Sequence, residues 1–137
     1  MNITRNTLFV SRRATLTALF AFFAVQASAN EPYSAYGPAS YYKSGYIATT
    51  ASGEIYNARL FTGAHSSLPF GTLVRVTNLR NNQSVIVRIN DRPLYRTGHV
   101  IDVSYGAADK LGMLTERMAE VSVTEIKVAA TASRQLR

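Results

Sequence analysis

Three carboxylates stand in settings that ordinary surface acids do not occupy. Glu54 closes a run of small residues, Thr49-Thr50-Ala51-Ser52-Gly53, which lets backbone come close to a ligand and leaves one acid at the tip. Asp91 ends an apolar stretch, inside Asn90-Asp91-Arg92-Pro93, where Pro93 forbids further strand pairing. Asp102 lies between apolar neighbours in Val100-Ile101-Asp102-Val103 and must be hydrogen-bonded if it points inward. Acids held in this way can move a proton or stabilise a developing cation. The plainer readings stand beside these: Asp91 as a turn residue paired with Arg92, and Asp102 as a member of a structural network.

The remaining inventory narrows the chemistry. The 137-residue chain has eight acidic residues, two histidines (His65 and His99) and no cysteine. No Ser-His-Asp order suggests itself, and a thiol nucleophile is excluded. Two histidines without a cysteine or an H-x-x-x-H spacing make a poor zinc site, so no metal is expected. Glu116, Glu120 and Glu125 sit at polar edges and read as solubilising charge.

These groups must be positioned by short strands. Leu73 to Asn78 places Val74 and Val76 on one face, and Ser84 to Asn90 does the same with Val85, Val87 and Ile89. Residues 79–83 form the hairpin loop between them, where Asn can take positive φ. Further strands are expected at 100–103 and 120–128, with Tyr41-Tyr42 in an early one. Ser104 is a good N-cap for a helix over Tyr105 to Leu111, and Gly112 can end it in the left-handed conformation. A second helical turn is expected around Tyr56 to Phe61. About six short strands with one or two small helices predict a compact β-barrel. No internal repeat is visible.

The N-terminus predicts export. Arg5, Arg12 and Arg13 precede an uncharged run, Ala14 to Val25, and Ala27-Ser28-Ala29 offers small residues at a cleavage site. Twelve apolar residues make about 18 Å of helix, against roughly 30 Å of bilayer core, so a cleavable signal over 1–29 is read rather than an anchor. Ser11-Arg12-Arg13 resembles a twin-arginine signal, but Thr15 stands where a large apolar residue is usual, which favours Sec export. Without the signal, twelve basic residues face eight acidic ones, a net of +4 with the bases scattered, which argues against nucleic acid. The absence of cysteine excludes a lipid-modified N-terminal cysteine and a disulfide framework. A periplasmic monomer with no stable membrane anchor is expected. Residues 30–36 read as a polar leader, 37–128 as one domain and 129–137 as a flexible tail.

The motifs together resemble the rare lipoprotein A (RlpA) family. The strings are Thr50-Ala51-Ser52-Gly53-Glu54, Thr62-Gly63-Ala64-His65, Leu68-Pro69-Phe70-Gly71-Thr72-Leu73-Val74-Arg75-Val76-Thr77-Asn78-Leu79, Ser84 through Arg92, Gly98 through Ser104, and Ala107-Ala108 through Leu111-Gly112-Met113. They follow the family's order over residues 37 to 128. The resemblance implies a six-stranded double-psi β-barrel, as in expansins and barwin-like domains. It implies lytic transglycosylase activity on peptidoglycan glycan strands, preferentially those stripped of peptide stems, with no cofactor. Its functional residues fall on Glu54, His65 and Asp91, and the barrel's cleft aspartate on Asp102.

Cleaving between N-acetylmuramic acid and N-acetylglucosamine needs a proton on the leaving oxygen and stabilisation of an oxocarbenium-like state. Asp91 is the expected general acid/base and Glu54 the stabiliser, although the reverse assignment stays open because an acid beside Arg92 has a lowered pKa unless Arg92 turns away. His65 is expected to orient substrate or a carboxylate. Tyr41, Tyr42, Arg92 and Tyr95 are the expected substrate contacts; Phe70 is expected to pack in the core, with sugar stacking as its alternative role. Three departures stand out: Pro93-Leu94-Tyr95 where the family has Gly-Pro-Phe, Tyr41-Tyr42-Lys43 for Trp-Tyr-Gly, and Ala48-Thr49 for Gly-Arg/Lys. No C-terminal SPOR glycan-binding domain is recognisable. The alternative function is a non-catalytic glycan-binding or wall-loosening module like the expansins.

Overall fold

A computed structural model describes residues 31–93 and 98–127. The expected signal (1–29), Tyr95 and the expected tail (129–137) lie outside the described residues. Six strands and one helix follow in the order β1 (Ser34–Tyr41), β2 (Thr62–Ala64), β3 (Leu73–Asn78), β4 (Ser84–Asp91), β5 (Ile101–Val103), α1 (Tyr105–Lys110) and β6 (Ala119–Glu125). The sheet closes on itself in the order β1-β5-β2-β4-β3-β6, and β6 returns to β1. Parallel pairing of β1 with β5 and of β2 with β4 joins strands distant in the chain; the other pairings are antiparallel. This is the six-stranded double-psi β-barrel that the motifs implied.

Alternation builds the core. Val74 and Val76 from β3, Val87 and Ile89 from β4, and Val121 and Val123 from β6 are fully buried. Burying each such side chain contributes about 1.5–3 kcal/mol. Closure leaves no free sheet edge among the strands of the described residues. At the β3–β4 turn Asn82 has φ +59°, the positive value anticipated for an asparagine in this loop.

The helix begins as its sequence dictates. The Ser104 hydroxyl accepts from the Ala107 N–H at 3.3 Å and donates to the Leu60 carbonyl at 2.5 Å. Gly112, at φ +65°, follows the Leu111 C-cap.

Three local expectations change. Residues 56–61 form a turn rather than a helix, with the Arg59 N–H bound to the Asn57 side chain and Tyr56 buried. β1 starts at Ser34, inside the segment read as a polar leader, because Ser34 to Ala39 pair with β6. β2 is three residues long and wholly buried between β4 and β5, a strand the apolar pattern does not announce.

Candidate active site

One row of residues crosses four strands. Ser40 on β1 sits beside Asp102 on β5, Asp102 beside Ala64 on β2, and Ala64 beside Asp91 on β4. The alignment depends on a register shift. Gly63 pairs with Ile89, but Ala64 pairs with Asp91, so Asn90 is passed over. Such an irregularity re-aims side chains locally. Here it lets Asn90 and Asp91, neighbours in sequence, both reach the loop that carries Glu54. With strands about 4.8 Å apart, the Asp91 and Asp102 backbones stand about 10 Å apart across Ala64.

The small-residue loop is laid along the end of β4. The Ser52 N–H donates to the Asn90 carbonyl at 3.1 Å, and the Ala51 N–H to Asp91 Oδ1 at 2.8 Å. The loop turns through Gly53, whose φ of +89° only glycine adopts readily. Glu54 is thereby delivered to the outer side of β4. Arg88 donates to both of its oxygens, at 2.6 and 2.8 Å, and Asn90 Nδ2 adds a third bond at 3.2 Å. Arg88 above all, then Asn90, holds the Glu54 carboxyl down to about 2, so it is ionised throughout the range in which proteins work.

Asp91 is held differently. Its Oδ1 accepts from the Ala51 and Arg92 N–H groups, each at 2.8 Å, and its Oδ2 accepts from the Tyr42 hydroxyl at 3.0 Å. The Arg92 guanidinium turns away from this carboxylate. It donates to the His65 carbonyl at 2.9 Å and to the backbone carbonyl of Asp91 at 3.3 Å, and it lies 4.1 Å from the Phe70 ring centroid. The pairing of Asp91 with Arg92 as a turn ion pair is therefore not what forms, and the cation read as a substrate contact is engaged within the protein. Phe70 is 44 % exposed, so it is not a core residue; its ring carries Arg92.

Tyr42 lies between the charges. Burial first, then the Asp91 carboxylate and its hydrogen bond, and further Asp102, push its phenol far above the usual range. It stays a hydroxyl and a donor. Its ring stacks on Tyr46 at 5.4 Å and 6° and meets the edge of Tyr56 at 5.3 Å. Tyr41, one residue earlier, packs against the core and donates its hydroxyl to the Leu114 carbonyl at 3.2 Å. The two adjacent tyrosines expected to bind substrate thus have separate roles.

His65 is 2 % exposed, and its ring packs edge-on to Tyr33 at 4.8 Å. Its Nδ1 accepts from the Ser67 and Leu68 N–H groups at 3.2 and 3.0 Å, which assigns the proton to Nε2. Burial, and then the Arg92 charge, lower its pKa. It is a neutral residue that shapes the 65–68 loop, while its backbone binds both the Asp91 carbonyl and Arg92. Asp102 is fixed by Ser40 Oγ at 2.5 Å and by His99 Nδ1 at 3.0 Å.

The structure therefore ties Glu54 and Asp91 to one loop and sets Asp102 in the same row as Asp91, with the His65 N–H bonded to the Asp91 carbonyl. The residues that hold these acids were not singled out from sequence: Arg88, Asn90, Ser40 and His99. Arg88 and Asn90 do carry a signal, since they are the polar positions alternating with Val87 and Ile89 on a strand that ends in Asp91. Tyr46 and Tyr56 carry none.

The family model described as lytic transglycolase matches residues 34–123. The chain is 49 % identical over 100 residues to the probable endolytic peptidoglycan transglycosylase RlpA of Treponema pallidum (strain Nichols), covering 72 % of this chain and 31 % of that protein. It is 57 % identical over 74 residues to the protein of the same name from Nostoc sp. (strain PCC 7120), covering 54 % and 20 %. The chain thus spans less than a third of the length of these relatives. In fold it is similar to the crystal structure of apo-Clavibacter michiganensis expansin, with a TM-score of 0.56 at 24 % identity, over 72 % of this chain and 52 % of the expansin chain. The chain belongs to the lytic transglycolase family, to which its RlpA-like motifs had already pointed.

Proposed function

We propose that this chain is a peptidoglycan lytic transglycosylase that cleaves the bond between N-acetylmuramic acid and N-acetylglucosamine and leaves 1,6-anhydromuramic ends. One observation carries the reading: Asp91 keeps a carboxylate at the end of β4 with the Arg92 guanidinium turned off it, a short loop away from a Glu54 that Arg88 keeps ionised. Two carboxyl groups in contrasting surroundings suit one proton carrier and one fixed charge. The names of the relatives, endolytic peptidoglycan transglycosylases, support the same substrate.

In this reading a protonated Asp91 gives its proton to the glycosidic oxygen as the bond to the muramic acid C1 breaks. The ionised Glu54 stabilises the oxocarbenium-like charge. The C6 hydroxyl of the same muramic acid then attacks C1 and returns its proton to Asp91. No water is consumed. Asp102, set by Ser40 and His99, adds a second negative charge along the row, and Tyr42 holds Asp91 in place.

Residues 1–29 as a cleaved signal would deliver the domain to the periplasm, where glycan strands would be its partner. Mass spectrometry of products from stem-free glycan tests the activity. Anhydro ends from the wild type, lost in Asp91→Asn, are expected; equal inertness of both proteins overturns the reading.

The binding of Asp91 by three donors favours a second reading, a wall-loosening or glycan-binding module without turnover. Glycan pull-down with no product, unaffected by Glu54→Gln, is its signature.

A further inference from the structure

Next to Asp91 the chain carries an aromatic plate that the acid chemistry does not use. The Tyr42, Tyr46 and Tyr56 rings form one cluster: Tyr42 and Tyr46 are nearly parallel, and Tyr56 stands edge-on to both, at 5.3 and 5.6 Å. Two of the three hydroxyls fix the cluster to the barrel. Tyr42 donates to Asp91, and Tyr56 accepts from the Tyr105 N–H at 3.1 Å. Tyr56 is buried and Tyr42 half-buried, whereas Tyr46 is 36 % exposed. The backbone turn that brings Tyr46 back, its N–H bonded to the Lys43 carbonyl at 3.1 Å, gives one wall of an open recess of about 640 Å³ lined by residues 41–46. That volume lies within the usual range of ligand clefts, roughly 300–1,000 Å³.

We propose that Tyr46 is a sugar-stacking platform that binds a pyranose of the glycan beside the bond cleaved at Asp91. The proposal rests on the glycan reading of the acids above and adds a subsite to it. One ring face of Tyr46 is taken by Tyr42, and its exposed part borders the recess. The C–H face of a pyranose is apolar and carries partial positive charge, and an aromatic face is its electrostatic complement. Rigidity strengthens the case, because a ring already stacked and edge-buttressed loses little freedom when a sugar settles on it. The distance also suits the role. A single ring, that of Tyr42, separates the platform from the carboxylate, with 3.0 Å on one side and 5.4 Å between centroids on the other. The plain alternative is that Tyr46 only covers Tyr42.

Two variants separate these roles. Tyr46→Leu keeps an apolar cover over Tyr42 but offers no aromatic face; Tyr46→Trp keeps the face and, in a chain with no tryptophan, gives a single emission reporter. With stem-free glycan strands, Tyr46→Leu is expected to raise KM about tenfold with kcat within about twofold, the mark of lost uniform binding. Tyr46→Trp is expected to keep the wild-type KM and to shift its emission as glycan saturates the site. A kcat loss with KM unchanged in Tyr46→Leu overturns the platform in favour of the cover, as does Trp emission that ignores glycan while anhydro product forms. Glycan-dependent emission without any anhydro product keeps the platform and removes the transglycosylase reading. No response to glycan in either assay removes both.

Discussion

Arg88 grips both oxygens of Glu54, at 2.6 and 2.8 Å, across 34 residues of sequence. The pair is about two-fifths exposed, so solvent screens most of its contribution to stability. Its effect is on charge. With its midpoint near 2, Glu54 is ionised at working pH, which fits the proposed division in which Glu54 is the fixed charge and Asp91 the proton carrier. Replacing Arg88 with Gln is expected to raise the Glu54 midpoint from about 2 towards the ordinary value of 4.5. Because the folded midpoint is the lower one, whatever stability the pair gives is present above the ordinary midpoint and is lost as pH falls towards 2. NMR titration of the Glu54 side chain in both proteins measures this. A midpoint that stays near 2 in Arg88→Gln would show that Asn90 and Ser52 suffice.

Tyr42→Phe keeps the ring that Tyr46 and Tyr56 pack against and removes only the hydroxyl on Asp91 Oδ2. A hydrogen bond to a charged group is worth about 1.5–3 kcal/mol. If that bond sets the Asp91 geometry during turnover, kcat on stem-free glycan falls about ten- to hundredfold while KM changes less than about threefold. An unchanged kcat would mean that the Ala51 and Arg92 amides position Asp91 without help.

How much of this could be read from the sequence follows the range of the interactions. The β3–β4 hairpin was legible because Val74, Val76, Val85, Val87 and Ile89 alternate along a contiguous stretch. The cap at Ser104 and the glycine at 112 were legible because both act within one turn of the helix. β2 was not, because Thr62-Gly63-Ala64 has no alternation; its place is set by β4 and β5, more than twenty residues downstream. The same division holds at the site. The acids stood out by their local settings, but Arg88 meets Glu54, Ser40 meets Asp102 and Tyr42 meets Asp91 only after the barrel closes. Arg92 misled because sequence proximity suggested an ion pair, whereas the His65 carbonyl and the Phe70 ring offered its side chain a better place.

His65 makes stability depend on pH near neutrality. Burial and then Arg92 lower its folded-state pKa, so the unfolded chain takes up a proton that the folded chain refuses. Stability is therefore present above the unfolded midpoint, about 6.5, and is lost as pH falls through it towards the lower folded value. The melting temperature is expected to drop between pH 8 and pH 5.5. His65→Asn, whose Oδ1 can still accept from the Ser67 and Leu68 amides, is expected to flatten that dependence. An equally steep drop in the variant would assign the effect to another group.

Ser104 joins the helix to the strand before it, and its removal should show in stability rather than in chemistry. The side chain is fully buried; it caps α1 through Ala107, donates to the Leu60 carbonyl and accepts weakly from the Thr62 N–H at 3.4 Å. Ser104→Ala loses the cap, worth about 1 kcal/mol, and leaves the Leu60 carbonyl without this donor, a further cost of about 1 kcal/mol or more. For a domain of this size about 2 kcal/mol lowers Tm by roughly 8–16 °C. Calorimetry measures the shift. The glycan-cleaving activity of the variant, assayed well below its Tm, is expected to match the wild type, because Ser104 touches none of Glu54, Asp91 or Asp102. A Tm loss under about 3 °C would mean that water or a shifted backbone replaces the hydroxyl. Lost activity in the still-folded variant would instead show that the β2 entrance at Thr62 transmits the position of α1 to the acid row.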